Sequence, residues 1–234
     1  MIATVTLNPA VDYTVSIPDL SPDRVNRAEA GSVRYDAGGA GINVSLALAA
    51  LGAETAATGV LGGFTGAYVR GELAGAPFAA DFVDGDGVTR LNATVLAGGD
   101  AYKINQRGPE TGERVVAAVA DRVRQFDPAT LVVGGSLPPG LDAGALDRLA
   151  AAGDWETALD VPGGLLEGVD AGRYSLCAPN RAELEAATDH PVGTVAACRR
   201  AAARLRERGF DRVVASLGAD GALLVSAAGA LYGE

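Results

Sequence analysis

Asp36-Ala-Gly-Gly-Ala-Gly-Ile-Asn-Val-Ser45 runs straight into an alanine- and leucine-rich stretch that ends at Leu51-Gly52. Apolar residues at 42, 46, 49 and 50 predict a helix over 42–51, with Gly52 as its stop. A glycine-rich loop opening such a helix lets backbone come close to a ligand, because Gly38, Gly39 and Gly41 carry no Cβ. The helix also turns free N–H groups and its positive dipole end toward the loop, which favours an anion or a polar ligand. Asn43 adds an amide that both donates and accepts, which suits sugar hydroxyls. The same letters also make a plain tight turn, so the loop alone decides nothing.

The surroundings of this stretch set the fold class. Ile2 to Leu7 reads as a short apolar strand ended by Asn8-Pro9, and Thr55 to Val60 as a buried strand followed by a helix over 67–73. From Glu113 the pattern becomes regular: helix 113–124, strand 130–134, helix 142–151, strand 156–160, strand 174–178, helices 181–187 and 193–208, strand 211–216. Strands spaced by helices of this length predict an α/β fold whose mostly parallel sheet is flanked by helices. Four alternating segments, about 11–17, 25–34, 91–96 and 101–105, do not fit that sheet and predict a separate small β-layer. Residues 1–234 thus read as a single domain with that layer attached.

Composition bounds the partners. The chain is 48% hydrophobic and 21% charged, an ordinary globular balance, and its net charge of -10 disfavours nucleic acid or an anionic membrane surface as partner. Cys177 and Cys198 show no metal-ligand spacing and read as buried reduced thiols, with a cytoplasmic location expected. His190 precedes a proline in a polar loop and reads as a surface residue. No apolar run reaches the length of a membrane span, and no signal peptide is read at the N-terminus.

Ligands of open α/β sheets bind at the carboxyl ends of the strands, and the candidate residues follow that rule. Asp12, after the first strand, is either a turn-capping carboxylate or an acceptor for two sugar hydroxyls. Arg90 and Asn92 share one face of their strand, as do Lys103 and Asn105. Such a face is either a pair of solvated charges or a phosphate site with Arg as the bidentate partner. Asn180 and Glu183 fit a helix-capping box, and also a pair of polar groups aimed at a ligand.

Five motifs, in this order and spacing, resemble the ribokinase-like (pfkB-type) family of sugar kinases. They are Thr6-Leu-Asn-Pro-Ala-Val-Asp12, the loop 36–45, Gly134-Gly-Ser-Leu-Pro-Pro-Gly140, Pro179-Asn-Arg-Ala-Glu183 and Val213-Val-Ala-Ser-Leu-Gly-Ala-Asp-Gly-Ala222. The nearest branch is that of 1-phosphofructokinases and tagatose-6-phosphate kinases. The resemblance implies a ribokinase-like fold with a β lid over the sugar site, and transfer of the ATP γ-phosphate to a ketohexose monophosphate. Fructose 1-phosphate is the first choice, with fructose 6-phosphate or tagatose 6-phosphate next. It implies that Asp12, Gly38, Gly39, Asn43, Arg90, Asn92 and Lys103 hold the sugar phosphate. It implies further that Asn180, Ser216, Gly218 and Gly221 hold the nucleotide, and that Glu183 orders water around Mg2+. A homodimer through paired lids is also implied.

Three departures from the family pattern stand out. The usual Gly-Gly-Lys-Gly reads Gly38-Gly-Ala-Gly41, and the usual Lys-Pro-Asn reads Ala178-Pro-Asn180, so two cations are missing. The family's catalytic base is an aspartate in a Gly-Ala-Gly-Asp segment after the final hairpin. That aspartate is expected beyond Glu234, and Ala151-Ala-Gly-Asp154 reads as a connecting loop. The alternatives are therefore a non-catalytic relative that binds sugar phosphate, or a kinase of the same fold for an unphosphorylated sugar or nucleoside. Arg90 and Lys103 speak against the latter. The helices missing with that segment would leave one sheet face open to water, so poor solubility or self-association of residues 1–234 is expected.

Overall fold

The computed structural model describes all residues from Met1 to Glu234. Its strands are β1 Ile2–Thr6, β2 Ala10–Ile17, β3 Val33–Gly38, β4 Thr55–Leu61, β5 Ala79–Ala80, β6 Val83–Asp84, β7 Arg90–Ala97 and β8 Asp100–Asn105. These are followed by β9 Thr130–Gly134, β10 Glu156–Asp160, β11 Leu176–Cys177, β12 Val213–Ser216, β13 Ala222–Ser226 and β14 Gly229–Gly233. The helices are α1 Ala40–Ala50, α2 Gly63–Leu73, α3 Glu113–Phe126, α4 Ala143–Ala150, α5 Gly163–Gly168, α6 Arg181–Thr188 and α7 Val195–Arg208.

The central sheet has ten strands, in the order β14-β13-β12-β11-β10-β9-β1-β4-β5, with β6 also against β4. All pairs from β12 to β5 are parallel, and only the β12–β13–β14 edge is antiparallel. A second sheet, β3-β2-β7-β8, stands apart as the small β-layer. No helix is long and apolar enough to cross a membrane.

The α/β architecture and most element bounds agree with the sequence reading, but α2 begins at Gly63 and not at 67, β11 keeps only Leu176–Cys177 of the strand expected over 174–178, and one lid strand is displaced. The strand expected over 25–34 begins only at Val33, where pairing with Val15 starts. Residues before it form an exposed loop, closed by Asn26, whose side chain accepts from Ser21 N at 3.0 Å and donates to Ser21 O at 2.8 Å. These local side-chain bonds outcompete strand pairing for a polar segment. Helix α5 was not expected, because its two leading glycines hide the apolar period of Leu165 and Leu166.

The main core joins one face of the central sheet to the helices. Alternate residues Ala3 and Val5, Leu131 and Val133, Leu159, Cys177, Val213 and Ala215 pack with Val119, Leu146, Leu184 and Leu205 from the helices. Burial pushes the Cys177 thiol up to about 12, so it is a small apolar core group and not a nucleophile. A smaller core fixes the lid: Val11, Ile42, Leu61, Val69 and Phe82.

The opposite sheet face is unevenly covered. Helix α1 lies over β1, where Ser45 Oγ meets Thr4 Oγ1 at 2.8 Å, but Val132, Ala158, Leu176, Val214 and Leu224 are only half-buried. Beside them Leu231 is 68% exposed on the edge strand, and Leu51 is 83% exposed at the end of α1. Exposed apolar surface of this kind favours association. Residues 1–234 alone are expected to elute above monomer size and to enhance the fluorescence of a hydrophobic dye; a monodisperse, dye-silent monomer would contradict this.

Candidate sugar and nucleotide site

The site begins where the lid joins β1. Asp12 lies inside strand β2, not in a turn, and its Oδ1 accepts from Asn92 Nδ2 at 2.9 Å. In-register pairing sets Asp36, Asp12, Asn92 and Asn105 in one row across the four lid strands. Asp12 Oδ2 faces Gly38, where a Cβ would sit 2.3 Å away, so only glycine allows the carboxylate this place. Asn92 Oδ1 is buried without a hydrogen-bond partner. A buried acceptor without a partner is costly, and a ligand hydroxyl would satisfy it.

The glycine loop opens α1 as expected. Gly39 is the N-cap residue without a side-chain cap, and Ile42 N donates to Thr6 Oγ1 at 3.2 Å, which ties the helix start to β1. Asn43 is exposed in the first turn of α1. Arg90 is half-buried at the lid hinge: its Nε donates to Asn8 O at 3.2 Å and its Nη1 to Gln106 O at 3.2 Å. Burial lowers the Arg90 pKa from its ordinary value, and nearby Asp12 partly offsets this. Lys103 pairs in register with Thr94, one row farther toward the lid tip than Asn92 and two rows beyond Arg90. The lid thus carries both cations on the Asp12 face, but not side by side.

A second group gathers at the carboxyl ends of β10, β11 and β12. Asn180 caps α6: its Oδ1 accepts from Glu183 N at 3.0 Å, while Glu183 Oε2 accepts from Asn180 N at 2.8 Å. The capping-box reading therefore holds. Asn180→Ala is expected to lower stability by about 1 kcal/mol in urea unfolding, with Asn180→Ser nearly neutral. Ser216 bridges to Asn180 and is exposed, and the turn Gly218–Asp220 follows it. Gly221 instead abuts the Gly233 carbonyl across the final hairpin. Arg181 Nη2 pairs with Asp220 at 2.6 Å and anchors this turn to α6.

Asp160 completes this group and was missed from the sequence, although it ends a strand that the sequence predicts. Burial, and then the nearby Glu183 carboxylate, raise its pKa. Two oxygen-donor carboxylates that repel each other fit a hard divalent cation, and Mg2+ keeps several waters and phosphate oxygens as its other ligands.

Strands β10 and β12 are two and four positions from β1 in the sheet, so the second group stands roughly 10–19 Å from the first at the usual strand spacing. One end thus carries a carboxylate–amide pair with two cations, and the other a capped helix start with acid groups, an arrangement in keeping with a small-molecule transferase. The chain belongs to the pfkB family of carbohydrate kinases: the model of that family matches residues 5–232. It is 48% identical over 227 residues to a 1-phosphofructokinase of Haloferax volcanii, covering 97% of this chain and 73% of that protein. It is 33% identical over 231 residues to a D-tagatose-1-phosphate kinase of Bacillus licheniformis, covering 95% of this chain and 74% of that protein. The structure matches phosphofructokinase-2 of Escherichia coli in complex with fructose-6-phosphate with a TM-score of 0.89 at 29% identity, over 99% of this chain and 78% of that one. The protein is thus a kinase enzyme of the sugar-phosphate type.

Proposed function

We propose that the protein transfers the γ-phosphate of ATP to a hydroxyl of a ketohexose monophosphate, with fructose 1-phosphate, giving fructose 1,6-bisphosphate, as the first choice. The carrying observation is the Asp12–Asn92 pair on the lid's inner face, in line with Arg90 at the hinge. Asp12 and the unpartnered Asn92 Oδ1 take the sugar hydroxyls, with Gly38, Gly39 and Asn43 forming the floor, while Arg90 and Lys103 attract the phosphate. The similarity to 1-phosphofructokinases favours the 1-phosphate. Fructose 6-phosphate and the tagatose phosphates follow, since relatives are named for each sugar.

On the nucleotide side, Asn180, Ser216 and Gly218 flank the phosphates, and Gly221 shapes the turn beside them. Asp160 and Glu183 fit Mg2+, Glu183 through water. When bound, that ion neutralises phosphate charge, and phosphoryl transfer depends mainly on such positioning and compensation. The chain's own residues orient the acceptor hydroxyl through Asp12 and exclude water with the lid. No Gly-Ala-Gly-Asp segment occurs among residues 1–234, so no residue described here is assigned as the base.

The outer lid face supports pairing between two copies. Val33, Val95, Tyr102 and Ile104 line it, and Ile104 is 65% exposed.

Incubation with ATP, Mg2+ and each ketohexose phosphate, with chromatography of the products, tests the reading. Appearance of fructose 1,6-bisphosphate from fructose 1-phosphate is the expected result. Binding of the sugar phosphate without turnover would move the assignment to a non-catalytic binder. Neither binding nor turnover would overturn both.

A further inference from the structure

We infer that Arg107 supplies a second guanidinium, facing Arg90, to the site that holds the phosphate already present on the sugar. This rests on the sugar-phosphate reading above and identifies what fixes that phosphate. Arg90, Arg107, Asn8 and Ser136 line one open cleft of about 490 Å³, between the lid hinge and the loop after β9. The β7–β8 register sets Asn92 opposite Asn105, so Arg107, two residues on, returns to the level of Arg90.

Asn8 organises the cleft. Its carbonyl accepts from Arg90 Nε at 3.2 Å, and its Nδ2 donates to Arg107 O at 3.0 Å and to Ser136 Oγ at 3.2 Å. Asn8 is itself 4% exposed, so these links are held from the core outward. The backbone of Arg107 is therefore fixed while its side chain is exposed, with no ion pair and no side-chain hydrogen bond. Because Ser136 Oγ accepts from Asn8, its own hydrogen remains free to donate. Two guanidinium groups and a hydroxyl around one cleft match a phosphate monoester dianion, which accepts bidentate bonds from arginine.

The sequence gives this arrangement a reason. Where the resembled family carries lysine in its glycine loop, this chain has Ala40, whose Cβ would contact side chains built at Gly134 and Gly135 at 3.0 Å and 3.5 Å. Those residues lead into Ser136, so the vacated cationic position borders the cleft that Arg107 lines. Arg107 restores the missing positive charge from the lid side. The cleft thereby selects a phosphorylated ketohexose over the free sugar.

The test is calorimetric titration of the full chain and of the Arg107→Ala and Arg90→Ala variants with fructose 1-phosphate and with fructose. Arg107→Ala is expected to weaken fructose 1-phosphate roughly 10- to 100-fold, the range of a charge-assisted contact, with fructose binding and the melting temperature unchanged. Arg107→Lys is expected to recover only part of the loss. Unchanged fructose 1-phosphate affinity in Arg107→Ala, with a loss in Arg90→Ala, would overturn the role of Arg107 and leave the sugar-phosphate reading intact. An equal loss for fructose would also overturn it, since the residue would then act on the sugar or the fold. Equal affinity of the unaltered chain for both sugars would remove the sugar-phosphate reading and this inference with it.

Discussion

Gly59→Ala is expected to destabilise the protein by at least about 3 kcal/mol, a large part of the 5–15 kcal/mol that holds a domain together. Gly59 pairs with Thr6 in the centre of the parallel sheet, with φ at +153°. A Cβ there would lie 1.9 Å from Thr6 O and 2.9 Å from Thr6 C. Neither atom is the tip of a flexible side chain; both belong to the backbone of β1, which is paired on both sides. Backbone in this region costs a non-glycine residue about 1–3 kcal/mol, and overpacking adds a similar amount. The strand end that would have to move also carries Asn8 and the start of the lid, so sugar-phosphate affinity should fall together with stability. Gly71 is the control: it lies in α2 with nothing near its Cβ position, and Gly71→Ala is expected to stabilise by up to about 1 kcal/mol. Urea unfolding of both variants checks the pair. A midpoint for Gly59→Ala close to that of the unaltered chain would show that the sheet can part at β1–β4.

Asp12→Ala is expected to lower fructose 1-phosphate affinity by at least about 100-fold while costing little stability, because two hydroxyl contacts to a charged acceptor contribute about 1.5–3 kcal/mol each. The carboxylate is only part-buried and its one protein partner is Asn92. Removing it also frees Asn92 Nδ2, which can turn to solvent at the lid's open side. Asp12→Asn is the sharper variant. It keeps the volume beside Gly38 but loses the charge and one acceptor, so an intermediate loss is expected. Titration calorimetry reads the affinity and thermal unfolding reads the fold. A fall in both together would make Asp12 a lid-folding residue, as the lid's register through Asn92 would then be its main role.

Much of the fold, and the candidate residues, could be read before the structure. The parallel sheet followed from strands and helices alternating after Glu113, and observed strands β9 and β10 match the predicted bounds because their apolar runs are cleanly bounded. Asp12 was singled out by its place after the first strand, Asn92 by sharing a strand face with Arg90, and Asn180 and Glu183 by helix-start chemistry, while the family resemblance supplied the role expected of each. What stayed hidden was three-dimensional. Arg107 lies past the last paired residue of a hairpin, so its relation to Arg90 appears only once the β7–β8 register and the Asn8 links are known. Asp160 was read as the last residue of a strand, and its closeness to Glu183 depends on β10 and β11 being sheet neighbours. The lid strand was placed too early because Val25 and its neighbours alternate in polarity, while local Asn26 bonds, invisible to periodicity, keep them in a loop. The glycines of the 36–45 loop were read as room for a ligand. At Gly38 the space is taken up by Asp12 itself, so part of that pattern serves the placement of the carboxylate.

A crystal structure of the chain with fructose 1-phosphate bound tests the central claim most directly. The account predicts ring hydroxyls on Asp12 and Asn92 and the phosphate in the cleft between Arg90 and Ser136. A sugar seated away from Asp12, or a phosphate turned out to solvent with hydroxyls on Arg90, would contradict it.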